Sequence, residues 1–429
     1  MKIKNIIIIL FFITGFNTAF ANDGWLNILN EGGNNKGIKC TEAIQSAIEK
    51  ASKNGGGTIF FPAGEYLTGA LKLKSNITIH LDSGALLKFS ENFDDYLPYV
   101  EMRYEGIVMQ SFSPLFYAKD VENITIKGRG VIDGQGKAWW NEVYRIETAK
   151  DPIPETKYQK MWTEQNKGIV YEPYYKRTID KHFFRPSFFQ AYNCKNILIE
   201  GVTFKNSPFW TINPEFCDNV TVTGITINNP HSPNTDGINP SSCTNVHISN
   251  CHISVGDDCI TIKSGRDADG RKYGKATENV TITNCTMLSG HGGVVIGSEM
   301  SGGIKKITIS NCVFDGTDRG IRIKAARGRG GVVEDIRVDN IVMKNIKEEA
   351  IIMDLFYDKD NPVEPVTERT PIFRNVHISN VTGGNVNKAG FVRGIVEMPI
   401  QNITFSNINM DGKEGFTINT ATDVEFHDV

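Results

Sequence analysis

One short phrase recurs along most of this chain: an Asn or Asp, then alternating apolar and polar residues, then a Gly or Asn. From Asn196 onward its copies begin 23 to 40 residues apart. The alternation and the many β-branched residues make each copy a short strand with one face inward. Such a strand cannot bury a face alone, so the copies must stack into a solenoid. The copies begin at Asn123, Asn196, Asn219, Asn245, Asn279, Lys306, Asp335, Asn375 and Asn402.

A second family of apolar segments, including residues 259–263 and 320–324, lies between successive copies. Two or more strands per coil predict an all-β fold, a parallel β-helix of about ten coils. Residues 41–52 have a helix-like pattern and are expected to cover the open N-terminal end, with Thr41 as the N-cap.

The first 21 residues read as a secretory signal peptide. Lys2 and Lys4 precede an apolar run over residues 6–16, and Ala19-Phe20-Ala21 supplies a cleavage site. The run is shorter than the roughly 20 residues that span a bilayer. We therefore expect residues 22–429 to form a single β-helix domain that is exported, either periplasmic or secreted, without membrane insertion.

The net charge argues against nucleic-acid binding, and the positions of the cysteines argue against a disulfide framework. The net charge of −3 becomes −5 once the two signal-peptide lysines are removed, so no global positive field attracts nucleic acid. Three of the eight cysteines, Cys251, Cys285 and Cys312, stand where other coils place Val or Ile. This favours a buried column of small apolar side chains over a disulfide framework, with a bridge between adjacent coils left open.

Superposing the second strand family on its apolar residues predicts a shared column. Its members are Ile238, Ile260, Val294 and Ile321. Because neighbouring strands lie about 4.8 Å apart, residues just before this column on different coils come together. The alignment places Asp236, Asp257, Asp258 and His291 in one patch across three coils.

Stacked carboxylates repel, so at least one of the three should hold its proton at neutral pH. A protonated acid beside ionised partners is what glycoside hydrolysis requires. The alternative is that these aspartates only cap turns. By strict alternation Asp258 points inward with Ile260, so the turn at Gly256-Asp257-Asp258 must break the alternation for both carboxylates to face solvent.

Arg322 and Lys324 alternate outward on one strand, within a segment, residues 319–329, that carries five cations and no acid. Such a run is often a solvated basic face. Beside a carboxylate cluster in a net acidic protein, we interpret it as a subsite for a uronate carboxylate. His291 lies between two glycines, which let a substrate approach closely.

Four motifs, Asn234-Thr235-Asp236, Gly256-Asp257-Asp258, Gly290-His291-Gly292 and Arg322-Ile323-Lys324, occur in this order. In order and spacing they resemble the signature motifs of the polygalacturonases, glycoside hydrolase family 28. The resemblance runs from about Gly24 nearly to the C-terminus.

The resemblance implies a right-handed parallel β-helix that hydrolyses α-1,4-galacturonosyl bonds with inversion, without metal or cofactor. It implies Asp257 as general acid, Asp236 and Asp258 as the pair that holds the water, and His291 as support for the acid. Asn234, Arg322 and Lys324 would bind substrate, with Tyr357, next to Phe356, as candidate for the family's substrate-binding tyrosine. The partner would be an acidic polysaccharide or oligogalacturonide, bound by a monomer.

The gap between Asn123 and Asn196 exceeds one coil and predicts a loop-rich insertion at about residues 135–190. It contains Trp139, Trp140, Tyr144, Tyr158, Trp162, Tyr171, Tyr174 and Tyr175. These aromatic residues either form a small satellite core or wall one end of a groove, which favours exo-action.

Three rival functions remain open at this point. A pectate lyase shares the β-helix but uses calcium and an arginine base. A non-catalytic pectin-binding solenoid would need the aromatics but not the aspartates. Within the family, a rhamnogalacturonan or xylogalacturonan hydrolase is the nearest alternative.

Overall fold

The computed structural model describes residues 24–151, 153–169, 183–229, 232–357 and 362–429. Three stacks of parallel strands wind around one continuous apolar core, so the predicted parallel β-helix is confirmed. The predicted signal peptide lies outside the described residues, as do Tyr171, Tyr174 and Tyr175. Across the described ranges, every helix is too short or too polar to span a bilayer.

The first stack, sheet 1, is built from the recurring phrase. It has more strands than the ten or so coils predicted, because three strands precede the copy at Asn123 and one follows the copy at Asn402. In the described part of the chain its strands are Trp25–Asn27, Gly57–Phe61, Ile77–Leu81, Glu122–Gly128, Lys195–Glu200, Asp218–Thr223, Thr244–Ser249, Thr277–Thr283, Ile304–Asp315, Val332–Lys344, Ile372–Arg393, Ile400–Asn419 and Ala421–His427.

The Asn at the start of each copy has a backbone reason. Asn123, Asn196 and Asn219 have φ values of 58°, 56° and 57°, a left-handed conformation that Asn tolerates better than most side chains. Their amides also form a ladder: Nδ2 of Asn196 donates to Oδ1 of Asn123 at 2.8 Å, and Nδ2 of Asn219 to Oδ1 of Asn196 at 2.9 Å. The phrase therefore encodes both the bend into each strand and a contact between coils.

The other two stacks complete each coil, and the later long strands of sheet 1 bend round to continue them. Sheet 2 contains Lys36–Lys39, Gly64–Thr68, Ala85–Phe89, Val131–Asp133, Thr203–Lys205, Thr226–Asn229, His252–Val255 and Thr286–Ser289. Sheet 3 contains Leu71–Lys72, Phe116–Lys119, Phe189–Tyr192, Ile212–Glu215, Asp258–Ile262, Gly292–Gly297, Ile321–Lys324 and Glu349–Asp354. Single bridges at Ile238 join its two halves.

Helix α1 (Thr41–Lys53) covers the N-terminal end, as predicted, and buries Ile44, Ala47 and Ile48 against the first coils. The predicted N-cap is wrong: Cys40 occupies that position without a side-chain hydrogen bond. The Thr41 hydroxyl instead accepts a hydrogen bond at 2.7 Å from the amide of Gly69, because it faces the coil below rather than its own helix.

Outside the coils lie a hairpin of Val100–Tyr104 and Ile107–Ser111, and helices α2 (Lys137–Glu147), α3 (Lys157–Gln165) and α4 (Asp267–Tyr273). Within the described ranges there are two short 3-10 helices, Ile28–Glu31 and Phe93–Tyr96. Trp139 and Trp162 are buried, and Trp139 packs on Phe93 with ring centroids 4.3 Å apart. Trp139 and Trp162 belong to the continuous core and Tyr158 packs against it, so these aromatic residues extend the main core and do not form a separate satellite core.

All eight cysteines are buried and unbridged. Cys312 aligns with Ile341, and Ile341 with Val381, in one inward column of sheet 2. The predicted buried column is therefore confirmed.

Candidate active site

Three aspartates from two adjacent coils converge on the outer face of sheet 3. One carboxylate oxygen from each of Asp236, Asp257 and Asp258 lies within 4.8 Å of the others. The register explains this convergence, since Ile238 pairs with Ile260 and Ile260 with Val294 in the column predicted from sequence. The same oxygens form a donor set that could hold a cation.

The expectation that the Gly256-Asp257-Asp258 turn brings both Asp257 and Asp258 to solvent is wrong for Asp258. Asp236 is 3% exposed and Asp258 is 1% exposed. The cluster opens to solvent at Asp257 and His291, whose side chains are 17% and 52% exposed. Substrate therefore has direct access to Asp257, and the two buried carboxylates lie behind it.

The break in alternation that aims Asp258 outward lies one residue later than predicted. Cys259 and Ile260 are consecutive and both belong to the core, so Asp258 points to the outer face. The preceding coil has the same geometry, with Gly237 after Asp236 in the position of Cys259 after Asp258. A Cβ on Gly237 would lie 3.0 Å from Cγ2 of the core residue Ile253. A small residue at this position is thus what lets the aspartate before it face out.

Two cations bind Asp258. Nζ of Lys324 donates to its Oδ2 at 2.8 Å, and Nη1 of Arg322 lies 3.8 Å from its Oδ1. Burial alone would raise the pKa of Asp258, but Lys324, Arg322 and Lys263 outweigh it and hold this pKa below its usual value. Asp258 is therefore ionised at neutral pH.

At Asp236 the effect of burial on the pKa outweighs that of the neighbouring cations. Its Oδ2 accepts a hydrogen bond from Nδ2 of Asn239 at 3.0 Å, while Nζ of Lys263 stays 3.9 Å away. Burial, followed by repulsion from Asp257, raises the pKa of Asp236 well above its usual value despite the cations. Asp236 is thus the cluster's proton carrier in the free protein, which agrees with the expectation that one stacked carboxylate holds its proton.

His291 lies at the open side of the cluster, with its Nδ1 3.1 Å from Oδ1 of Asp257. The hydrogen bond to Asp257 raises the pKa of His291 to about 9 against the effect of burial, so the ring is an imidazolium at neutral pH. On the other side, Nδ2 of Asn234 is 3.5 Å from Oδ2 of Asp257. Asp257 therefore lies between a cationic donor and an amide.

Of the five cations in residues 319–329, only Arg322 and Lys324 reach the cluster. Arg319 pairs with Glu348 and Glu349, Arg327 with Glu397, and Arg329 with Asp267. The expectation of a basic shelf over the whole segment is therefore wrong.

Of the two candidate aromatic residues, Tyr357 is the one beside these cations. Its ring centroid lies 5.3 Å from the guanidinium carbon of Arg322 and 4.8 Å from Nζ of Lys324. Phe356 instead packs between Arg327 and Arg393.

Two neighbours of the cluster were not assigned from sequence. Lys263, buried beside Asp236, binds Glu299 at 2.7 Å. Its alignment with Lys324 in the outward column was a usable signal. Arg185, at the end of the insertion, donates from Nη2 to Oδ1 of Asn234 at 2.8 Å, and only the folded chain brings this pair together.

Sequence and structure comparisons agree on the family of this chain. Residues 172–426 match the profile of "Glycosyl hydrolases family 28", and residues 25–184 match "Rhamnogalacturonase A/epimerase, pectate lyase-like". A probable polygalacturonase of Vitis vinifera is 34% identical over 400 residues, covering 90% of this chain and 74% of that protein. An exo-poly-alpha-D-galacturonosidase of Dickeya chrysanthemi is 29% identical, covering 94% and 70%.

Among solved structures, a hyperthermoactive exopolygalacturonase from Thermotoga maritima is 35% identical, with a TM-score of 0.83 over 94% of this chain and 92% of that one. The fold, the intact motifs and these relatives lead to one conclusion. This chain belongs to glycoside hydrolase family 28.

Proposed function

We propose that this protein hydrolyses the α-1,4 bonds of polygalacturonate by acid–base catalysis. The observation that carries the proposal is the cluster of Asp236, Asp257 and Asp258 beside Arg322 and Lys324. The carboxylates supply the acid and the base, and the cations suit the carboxylate of a uronate. The relatives' names point to the same substrate.

Asp257 is the general acid of this proposal, because it is the aspartate with direct access to a saccharide. His291 supports this role as a positioning residue. Its cationic ring donates a hydrogen bond from Nδ1 to Oδ1 of Asp257 and so orients that carboxyl group. Asp236, whose pKa is raised by burial and by repulsion from Asp257, carries a proton in the free enzyme and must release it before it can act as a base.

Asp236 and Asp258 together hold and activate the water. A separation of about 5–5.5 Å between two carboxyl groups is usual for retaining glycosidases, whereas inverting ones leave about 6.5–9.5 Å for the water. The nearest oxygens here lie within 4.8 Å. We nevertheless infer inversion, because a third carboxylate lets the water sit on the Asp236–Asp258 pair rather than between the acid and a single base.

We infer exo-action from the hairpin Val100–Ser111, which the sequence had not singled out. Its Arg103 is fully buried on the outer face of sheet 3, where Nη1 binds Glu215 at 3.1 Å and Ser242 at 2.9 Å. The hairpin tip is fixed as well, since the carbonyl of Gly106 accepts from the amide of Arg266 at 3.1 Å. Protein thus fills the groove on the N-terminal side of Asp236, which favours a pocket for a chain end.

Export to the periplasm or the medium is part of the proposal and follows from the signal-peptide pattern of residues 1–21 together with the polymeric substrate.

The test is a product profile of the purified protein on polygalacturonate. We expect mono- or digalacturonate from the first minutes, with viscosity falling slowly relative to reducing ends. A rapid fall in viscosity would contradict exo-action. Unsaturated products lost on chelation would indicate a lyase, and cleavage of rhamnogalacturonan alone would indicate that specialist instead.

A further inference from the structure

We propose that Phe391 and Lys388 form a distal subsite that binds a further galacturonate unit of the polymer, beyond the Arg322–Lys324 subsite. The inference rests on the proposed polygalacturonate hydrolysis and extends it to chain-length preference.

The geometry of sheet 3 leaves the substrate one direction in which to continue. The hairpin closes the outer face on the N-terminal side of the aspartates through Arg103 and Gly106. The polymer beyond the bound chain end must therefore run towards the C-terminal coils. It would first pass Arg322 and Lys324, and then the residues stacked on them.

The register identifies what lies along that path. Arg322 pairs with Ile352, and Ile352 pairs with Phe391, all in one outward column of sheet 3. At about 4.8 Å per coil, Phe391 is about 10 Å from Arg322 along the axis, roughly the length of a disaccharide. The repeat of the fold thus presents a half-buried aromatic ring at the spacing of sugar units.

A cation accompanies that ring. Nζ of Lys388 lies 5.2 Å from the ring centroid of Phe391. Its ion pair with Glu414, at 3.2 Å, involves a glutamate side chain that is 62% exposed, so water weakens the pair and a uronate carboxylate can compete for the lysine. An aromatic face for the sugar ring beside an ammonium for its carboxylate matches the chemistry of galacturonate.

Arg393 also contacts the aromatic ring of Phe391. Its guanidinium carbon lies 5.5 Å from the ring centroid of Phe391, and its Nε and Nη2 bind both carboxylate oxygens of Asp354 at 2.9 and 2.8 Å. A bidentate pair of this kind holds the arginine in one orientation. Arg393 therefore contacts the ring of Phe391 from a fixed position.

The experiment compares Phe391→Ala and Lys388→Ala with wild type on digalacturonate, which is too short to reach the subsite, and on hexagalacturonate. We expect KM for the hexamer to rise roughly tenfold in Phe391→Ala with kcat unchanged, because binding shared by ground and transition states is lost. Values for the dimer should change less than about twofold. Lys388→Ala should raise KM for the hexamer as well, and salt should reduce the difference between this variant and wild type.

The matched control is Trp25→Ala, an exposed aromatic residue on the outer face of sheet 1, which should leave both substrates unaffected. Phe391→Tyr should restore hexamer binding. If Phe391→Ala raised KM equally for digalacturonate and hexagalacturonate, or raised it for neither, the proposed subsite would be overturned while the hydrolase proposal would stand. A wild type that cleaves neither substrate would overturn the proposed function and the subsite with it.

Discussion

Lys324 and Asp258 form a buried ion pair across an intervening coil, with Nζ 2.8 Å from Oδ2 and side-chain exposures of 7% and 1%. The strand between them, Gly292–Gly297, presents Gly292 at the crossing point. A Cβ there would lie 3.2 Å from Oδ1 of Asp258 and 3.8 Å from Cδ of Arg322. Because Gly292 has no side chain, Arg322 and Lys324 can reach Asp258 across this strand. This is a second role for the glycine, in addition to letting a substrate approach.

Replacing Lys324 with Met should move the acid limb of the pH–kcat profile upward by about 1 to 3 pH units. Lys324 is the strongest of the cations that lower the pKa of Asp258, and burial would raise this pKa once the lysine is gone. The exposed Lys306→Met provides the control. An acid limb that stays in place would show that Asp258 is not the group whose ionisation limits turnover.

The imidazole of His291 should titrate near pH 9 in the free enzyme, because its pKa is raised by the hydrogen bond to Asp257. In Asp257→Asn that pKa should fall towards the ordinary histidine value of about 6.5. Side-chain NMR of the histidines, with His291→Gln to assign the signal, measures both values. A wild-type value near 6.5 would remove the imidazolium from the mechanism.

Gly292→Ala should lower kcat about a hundredfold, since its Cβ displaces Asp258 or Arg322 by a fraction of an ångström. That Cβ would also lie only 2.4 Å from Cγ2 of Val295, so the melting temperature should fall too. Gly415→Ala, where a Cβ meets nothing within 4 Å, is the control and should leave both quantities unchanged. Full activity in Gly292→Ala would contradict the proposed tight crossing.

Glu215 should make stability depend on pH. Burial raises its pKa from 4.5 to about 7, with Arg103 opposing that rise. A raised carboxyl pKa stabilises the fold fully below the unfolded value, and this contribution is lost as pH rises through about 7, by up to about 3 kcal/mol. Urea unfolding of wild type and Glu215→Gln at about pH 5 and about pH 8 isolates it. Relative to Glu215→Gln, the free energy of unfolding of wild type should be lower at about pH 8 than at about pH 5. The same difference at both pH values would contradict the assignment.

The eight buried thiols should react with a thiol reagent only after unfolding, and reductant should not change the melting temperature. A lower melting temperature in reductant would reveal a bridge between neighbouring coils.

The sequence predicted the structure best where the same apolar position recurs on successive coils. The alignment of Ile238, Ile260, Val294 and Ile321 follows from apolar periodicity alone, and it was enough to bring the three aspartates and His291 together. It was wrong about the exposure of Asp258, because the burial of this carboxylate depends on Arg322 and Lys324, long side chains that reach it from another coil. The hairpin carries a local turn signal in Tyr104-Glu105-Gly106-Ile107, but the face on which it packs depends on the buried Arg103–Glu215 contact, which has no local pattern.

The central claim is that three stacked aspartates hydrolyse an α-linked galacturonan, with the acid and the water-holding pair on separate carboxylates. Proton NMR of the first products from polygalacturonate tests it most directly, with Asp257→Asn as the inactive control. The account predicts that the β-anomer appears first and then mutarotates, and that the Asn variant, folded as wild type, loses activity by about 10²- to 10⁴-fold. An α-anomer formed first, an unsaturated product, or full activity in Asp257→Asn would contradict it.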